Sequence, residues 1–293
     1  MKKIAVLSVA LVIIAVICFA ALDRGRTKVV AASEPAQNSS AAETPATVTP
    51  TALASVQAST PSESRGLAAI KAATDANKHL FLFVSENDSE ETASAKRAFE
   101  AAAGKLGDTA QLTFIDKNEA SEKPVVEKFQ LNRAPMPIIL ALAPNGAITG
   151  AFFGEKLKDP QLQDSIAGVG EQQCVKALQD RKLVFLCLQN TATKSNDAAM
   201  QGVNDLKADT RFTQFTEVVT IDPSADAEQS FLAKLQLDPK MTEATTAFLA
   251  PPGVLISKVT GATNKDALVA ALVAASSGGC GAGGCGPKGC GPR

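Results

Sequence analysis

The sequence predicts an α/β protein made of two tandem units, each a central mixed sheet flanked by helices. Three observations carry that expectation. Short apolar runs of strand length alternate with longer segments of helical periodicity. The same landmarks occur twice: the run starting at His79 has a counterpart starting at Lys182. A charge-free segment and a Ser/Thr/Pro-rich stretch precede both copies, and a Gly/Cys tail follows them.

With 293 residues the chain has room for two domains of ordinary size. Hydrophobic residues make up 45% with no Trp or Tyr, so the cores are aliphatic with Phe as the aromatic component. Basic and acidic residues nearly balance at 29 against 30, which removes the electrostatic basis for general nucleic-acid binding. The single histidine, His79, excludes most His-based catalysis and His-rich metal sites. It stands at the start of an apolar run and reads as a strand-edge residue.

Residues 1–30 read as a targeting or anchoring element. Lys2 and Lys3 precede an uncharged stretch from Ile4 to Leu22, closed by Asp23 and Arg24. Signal-peptide cores run about 7–15 residues and spanning helices about 17–25, so this length favours an uncleaved membrane anchor over residues 4–22. Ala20 and Ala21 leave signal-peptide cleavage open, and Ile17 argues against lipidation at Cys18. Basic residues on both flanks leave orientation open; export of the bulk of the chain is the expectation, to the periplasm or outside the cell, with secretion if the segment is cleaved. Residues 31–65, as in "SSAAETPATVTPTALASVQASTPSES", have too little apolar surface to offset ordering entropy and read as a disordered tether.

The first unit, residues 66–169, opens on the helical "GLAAIKAATDANK", followed by the buried strand "HLFLFVS". "DSEETASAKRAFEAAAGKL" is a long helix with Ala95, Phe99, Ala102 and Leu106 on one face. "QLTFID" is a strand, "KPVVEKFQL" a short helix, and "MPIILALAPNGAITGAFF" two strands around a Pro-Asn-Gly turn. A closing helix is expected near Asp159 to Val169. The second unit, residues 170–276, repeats this order. "TEVVTIDPS" answers "AQLTFIDKN", "AKLQLD" answers "EKFQLN", and "TAFLAPPGVLISKVTG" answers "LALAPNGAITG". A period this long marks a duplicated domain, not a solenoid repeat, and two units abutting so closely are expected to share an interface.

This order, together with "RAPMPIILALAPNGAITG", resembles the thioredoxin-like fold from about Gly66 to Val169. The resemblance implies a cis proline before the third strand, beside the family's redox site, and Pro137 after Met136 matches that place. In the second unit the matching position is Ala244, so the feature is missing there.

The family's oxidoreductases carry Cys-x-x-Cys at the end of the first strand, where a helix N-terminus stabilises the thiolate. Here the first unit has "SENDSEET" and the second "LQNTATKSN", neither with cysteine. Asp88 and Glu91 fall near the two cysteine positions; they read as a capping box, or as a carboxylate pair for metal binding or acid–base work. Thr193, Ser195 and Asn196 read as capping residues in the second unit. Cys174 on a helix and Cys187 in a strand read as buried thiols, or as a helix-to-strand disulfide in an oxidising compartment.

The tail, residues 277–293, holds Cys280, Cys285 and Cys290, each followed by Gly. Three thiolates without His or carboxylate form a soft donor set suited to Cu(I) or Zn. The same thiols suit disulfide exchange with a client, covalent cross-linking, or no role beyond low complexity. The expectation is a membrane-anchored, extracytoplasmic binding or scaffold protein. Its thioredoxin-like units have no dithiol site, it engages a protein client and no nucleic acid, and its tail contacts metal or partner. The alternative is a thiol–disulfide oxidoreductase whose working cysteines lie on the tail.

Overall fold

The computed structural model describes residues 63–154 and 159–277. The apolar segment 4–22, most of the tether, and Cys280, Cys285 and Cys290 lie outside the described residues. No described helix is long and apolar enough to cross a membrane.

The first unit runs α1 (Arg65–Asp75), β1 (His79–Ser85), α2 (Glu90–Ala103), β2 (Ala110–Asp116) and α3 (Lys123–Lys128). It continues through β3 (Ile138–Leu142), β4 (Ile148–Phe153) and α4 (Asp159–Gln163). The second unit runs α5 (Val169–Gln179), β5 (Leu183–Leu188), α6 (Asn196–Ala208), β6 (Thr216–Ile221) and α7 (Gln229–Lys234). It ends with β7 (Thr245–Ala250), β8 (Val254–Thr260) and α8 (Lys265–Ser277). The helix expected over 159–169 breaks, because Gly168 is extended (φ −64°, ψ 165°) and Val169 instead opens α5.

The two sheets have the same topology, β2-β1-β3-β4 and β6-β5-β7-β8. The first two strands of each unit pair in parallel and need a crossover helix, which α2 and α6 supply. The remaining pairs are antiparallel, and both hairpins carry an irregularity at matching places, Ala141/Leu142 and Phe248/Leu249. Left-handed backbone also recurs at matching turns: Asn77 and Arg181 (φ 52° and 62°), Gln130 and Gln236 (φ 54° and 55°). The repeat read from side chains is therefore also written in the backbone.

Central strands buried on both faces need apolar side chains pointing both ways. In β1, Leu80, Leu82 and Val84 pack with Ala73 of α1 and Val125 and Val126 of α3, while Phe81 and Phe83 pack with Ala95, Phe99 and Ala102 of α2. In β5, Val184, Leu186 and Leu188 pack with Cys174 of α5 and Leu232 of α7. Phe185 and Cys187 pack on the opposite face with Val203 of α6 and Leu268 of α8.

The units touch where β4 meets α5. Strand β4 is the last strand of its sheet, so its outer backbone groups need partners. The Gln179 carboxamide brackets Ile148, accepting from its N–H at 3.0 Å and donating to its carbonyl at 2.8 Å. Asn145 Nδ2 donates to Gln172 O at 2.9 Å. The expected shared interface is thus built partly from side-chain amides acting as strand neighbours.

Candidate functional site

The candidate site of each unit lies where its first strand ends and the following crossover helix begins. In the first unit this is the loop after Ser85. Asn118 Nδ2 donates to Glu86 O at 2.8 Å, Lys117 pairs with the Glu86 carboxylate, and Lys117 N donates to Ser85 O at 2.8 Å. The N-cap of α2 is Ser89, whose hydroxyl accepts from Thr92 N at 3.2 Å. Thr92 Oγ1 donates in turn to Asn87 Oδ1 at 3.2 Å. The capping box expected from Asp88 and Glu91 is therefore displaced by one residue, because the serine hydroxyl reaches the amide of the third helical residue. Asp88 and Glu91 are both exposed, and among the described residues no group of three or more His, Cys, Asp or Glu side chains could hold a metal.

The second unit uses different chemistry at the same place. Thr193 Oγ1 accepts from Asn190 N at 2.9 Å and donates to Asn196 Oδ1 at 2.7 Å, while Asn196 Nδ2 donates to Asn190 O at 2.8 Å. Ser195 has left-handed backbone (φ 62°) and makes no side-chain cap. Of the three residues read as caps, Thr193 and Asn196 tie the loop together and Ser195 only turns the chain.

Opposite each loop lies the segment entering the third strand. The Met136–Pro137 peptide is cis, and Pro137 is buried directly before β3. Gly154 N donates to Pro137 O at 3.0 Å; Gly261 N donates to Ala244 O at 2.8 Å, which fixes Ala244 as the counterpart. A second cis bond, Pro251–Pro252, sits in the turn between β7 and β8, away from this position. Because Ala244 keeps an N–H, it can donate to Lys194 O at 2.9 Å, and Lys194 N donates to Thr242 O at 2.9 Å. The two segments of the second unit are thereby zipped by main-chain bonds. Proline at 137 has no N–H for the equivalent bond.

A four-stranded mixed sheet between helix layers, a crossover helix after the first strand and a cis proline opening the third strand are the features the sequence resemblance implies. The fold is thioredoxin-like. No family profile matches the chain, and no curated protein matches it. Among solved structures, it is similar to a disulphide isomerase from Xylella fastidiosa Temecula1, with 11% identity over 38% of this chain and 95% of that one (TM-score 0.26). It is similar to the NTD_N/C domain of alkylhydroperoxide reductase AhpF from Enterococcus faecalis, with 13% identity over 69% and 95% of the two chains (TM-score 0.26). Human ERp44 matches at 7% identity over 70% of this chain and 54% of that one (TM-score 0.29).

Thioredoxin-like chemistry needs an exposed thiolate, and the described cysteines offer none. Cys174 and Cys187 are both free and buried. Burial, aided by Glu171 and Glu228, pushes the Cys174 thiol up to about 12. Burial pushes Cys187 up to about 11, partly offset by the Thr246 hydroxyl. The disulfide considered between them is not formed, and the reason is topological: Cys174 packs on one face of the second sheet and Cys187 on the other.

Two buried carboxylates escaped the sequence reading. Glu122 accepts from Ser64 Oγ, Arg65 N and Gly66 N at 2.8, 2.7 and 3.1 Å, and Glu228 accepts from Gly170 N and Glu171 N at 2.8 and 3.1 Å. Each anchors the N-terminus of its unit's first helix. The available signal was a Glu just before the short apolar helix in both copies, "SEKPVV" and "AEQSFL".

Proposed function

We propose that the chain is a binding or scaffold protein, held to a membrane by residues 4–22 with its two thioredoxin-like units in the periplasm or outside the cell. The tether over 31–65 sets the units away from the lipid, and the tail cysteines Cys280, Cys285 and Cys290 contact a soft metal, Cu(I) or Zn, or a protein client. The observation that carries this reading is the state of the thiols within the fold. Neither crossover-helix start has a cysteine, and the two cysteines that the units do contain are buried and held protonated. A protonated buried thiol is a poor nucleophile, so the units retain the shape of the family without its reacting group.

The second reading, a thiol–disulfide oxidoreductase working through the tail, rests on those same three cysteines following the second unit in sequence. Disulfide-reductase turnover separates the two. The full chain and its Cys280→Ser/Cys285→Ser/Cys290→Ser variant are expected to show equal background rates. Turnover by the full chain that the triple variant loses would establish the oxidoreductase. Turnover kept by the triple variant would overturn the scaffold reading of the units themselves.

A further inference from the structure

The units are joined through a short connector, residues 164–168, which leads into the first turn of α5 and lies between two sets of titratable groups. On one side is His79, the first residue of β1, buried at 7% exposure. Its Nε2 accepts a hydrogen bond from Ala167 N at 3.2 Å, although the two residues are 88 positions apart. An imidazole nitrogen accepts only when it carries no proton, so the ring is neutral with its hydrogen on Nδ1. On the other side, Glu228 takes the amides of Gly170 and Glu171, and Lys234 Nζ joins Asp164 O at 3.3 Å to the Glu171 carboxylate at 2.9 Å. Gly168 passes so close that a Cβ there would lie 2.5 Å from Glu228 Oε1. Two fixed contacts complete the set: Thr149 Oγ1 donates to Ser165 O at 2.7 Å, and Gln172 Nε2 to Ala167 O at 2.8 Å.

We propose that His79 is a proton-operated latch on this connector: protonation at Nε2 expels the Ala167 amide and loosens the joint between the two units. The imidazolium has two donors and no acceptor, so Nε2–H and Ala167 N–H would meet donor to donor in a site with little water. The ionisable groups on the bordering segments are Lys78, Asp108 and Asp164, with Glu171, Glu228 and Lys234 across the connector. Burial, and none of these charges, lowers the His79 pKa. The released ring returns toward the ordinary value of 6.5 and binds protons more readily than the latched ring. The latch is therefore closed above that pH and opens progressively as pH falls below it, through the lower value of the latched ring. Glu171 acts in the opposite direction, because a carboxyl whose pKa burial raises is protonated more readily in the packed joint than in the released one. Its discharge on acidification relieves a burial penalty that outweighs the Lys234 pair, so the acid-driven opening rests on His79 alone. The proposal stands apart from the chemistry of the tail.

Because His79 is the chain's one histidine, its imidazole resonance in the full chain, held in detergent micelles, reports its titration without ambiguity. Hydrogen exchange of the peptide spanning residues 164–170 is then followed between about pH 7.5 and about pH 5, corrected for intrinsic chemistry. The wild type is expected to lose roughly threefold to tenfold in protection, with a midpoint that coincides with the His79 titration. His79→Gln presents an amide oxygen at every pH and is expected to abolish that loss. An equal loss in His79→Gln would overturn the latch, as would connector protection that stays constant while His79 titrates. Should His79→Gln fail to fold, the wild type decides alone: midpoints that differ overturn the proposal.

Discussion

Glu122 Oε2 accepts the amide of Gly66 at 3.1 Å, and Glu228 Oε1 accepts the amide of Gly170 at 2.8 Å, each at the start of its unit's first helix. The first amides of a helix have no partner within it, and a carboxylate at that end also meets the positive pole of the helix. Both carboxylates are buried, at 0% and 6% exposure, so water cannot replace them if they are lost. The glycines belong to the same device: a Cβ on Gly66 would lie 2.9 Å from Glu122 Oε2, and one on Gly170 would lie 2.3 Å from Ile221 Cγ1.

Removing either carboxylate should therefore cost more than an ordinary cap. Glu122→Ala strands Arg65 N, Gly66 N and the Ser64 hydroxyl in a buried site, and is expected to destabilise by about 2–4 kcal/mol. Glu122→Gln keeps an oxygen acceptor and should cost less. Chemical denaturation of the two variants beside the wild type checks the order. Equal midpoints for Glu122→Ala and wild type would show that the cap contributes nothing.

The strands, the mixed character of the sheets and the duplication were legible because strand-length apolar runs such as "HLFLFVS" and "KLVFLCLQ" recur in the same order between helical segments; which strands pair in parallel came from the fold. The place of the candidate site came from the resemblance, which sets it where the first strand of each unit ends. Its contents were less legible. Asp88 and Glu91 had the right spacing for a cap, yet Ser89 fills the role, because one residue of helix phase decides which hydroxyl or carboxylate meets the amides. Glu122 and Glu228 look like surface charges in sequence; only the fold brings them beneath helix starts more than fifty positions away. The separation of Cys174 from Cys187 likewise depends on which face of a sheet each side chain takes.

The main-chain zipper of the second unit makes its proline-free entry to β7 a structural requirement. Ala244 N donates to Lys194 O at 2.9 Å, and Ala244 is buried at 1% exposure. Ala244→Pro restores the residue type that the first unit carries at Pro137 but removes this donor and leaves the Lys194 carbonyl unpaired. A loss of about 1–3 kcal/mol is expected, centred on the second unit. Thermal unfolding with exchange measured across residues 190–196 reads both the size and the place of the effect. A neutral or stabilising outcome would mean that the zipper is incidental.

The buried thiols give a prediction with a definite pH dependence. A free cysteine ionises near 8.5, whereas Cys174 is pushed up to about 12 and Cys187 up to about 11. Only the thiolate alkylates, so at about pH 8 both should react at least roughly a hundredfold more slowly than a free thiol, before burial slows access further. Mass-spectrometric mapping of iodoacetamide labelling on the full chain should mark Cys280, Cys285 and Cys290 first. Cys174 and Cys187 should follow only on unfolding. Early labelling of Cys187 would make it a candidate nucleophile.

The tail is where the proposed metal contact stands or falls. One thiolate alone holds an ion weakly, but after the first bond forms the next two become intramolecular, with four residues between neighbours at 280, 285 and 290. Replacing any one of Cys280, Cys285 or Cys290 by Ser should therefore lower Cu(I) or Zn affinity steeply, while Cys174→Ser leaves it unchanged. Protons compete with metal for sulfur, and free cysteine ionises near 8.5, so affinity should fall as pH is lowered from about 8 to about 6. A site whose ligands stay ionised across this range would show no such fall. Competition titration against a chelator at both pH values measures the ligand dependence and the proton dependence together. Equal affinity in the triple-serine variant would remove the metal from the tail, and a mixed disulfide trapped through Cys280, Cys285 or Cys290 would assign those thiols to exchange with a client.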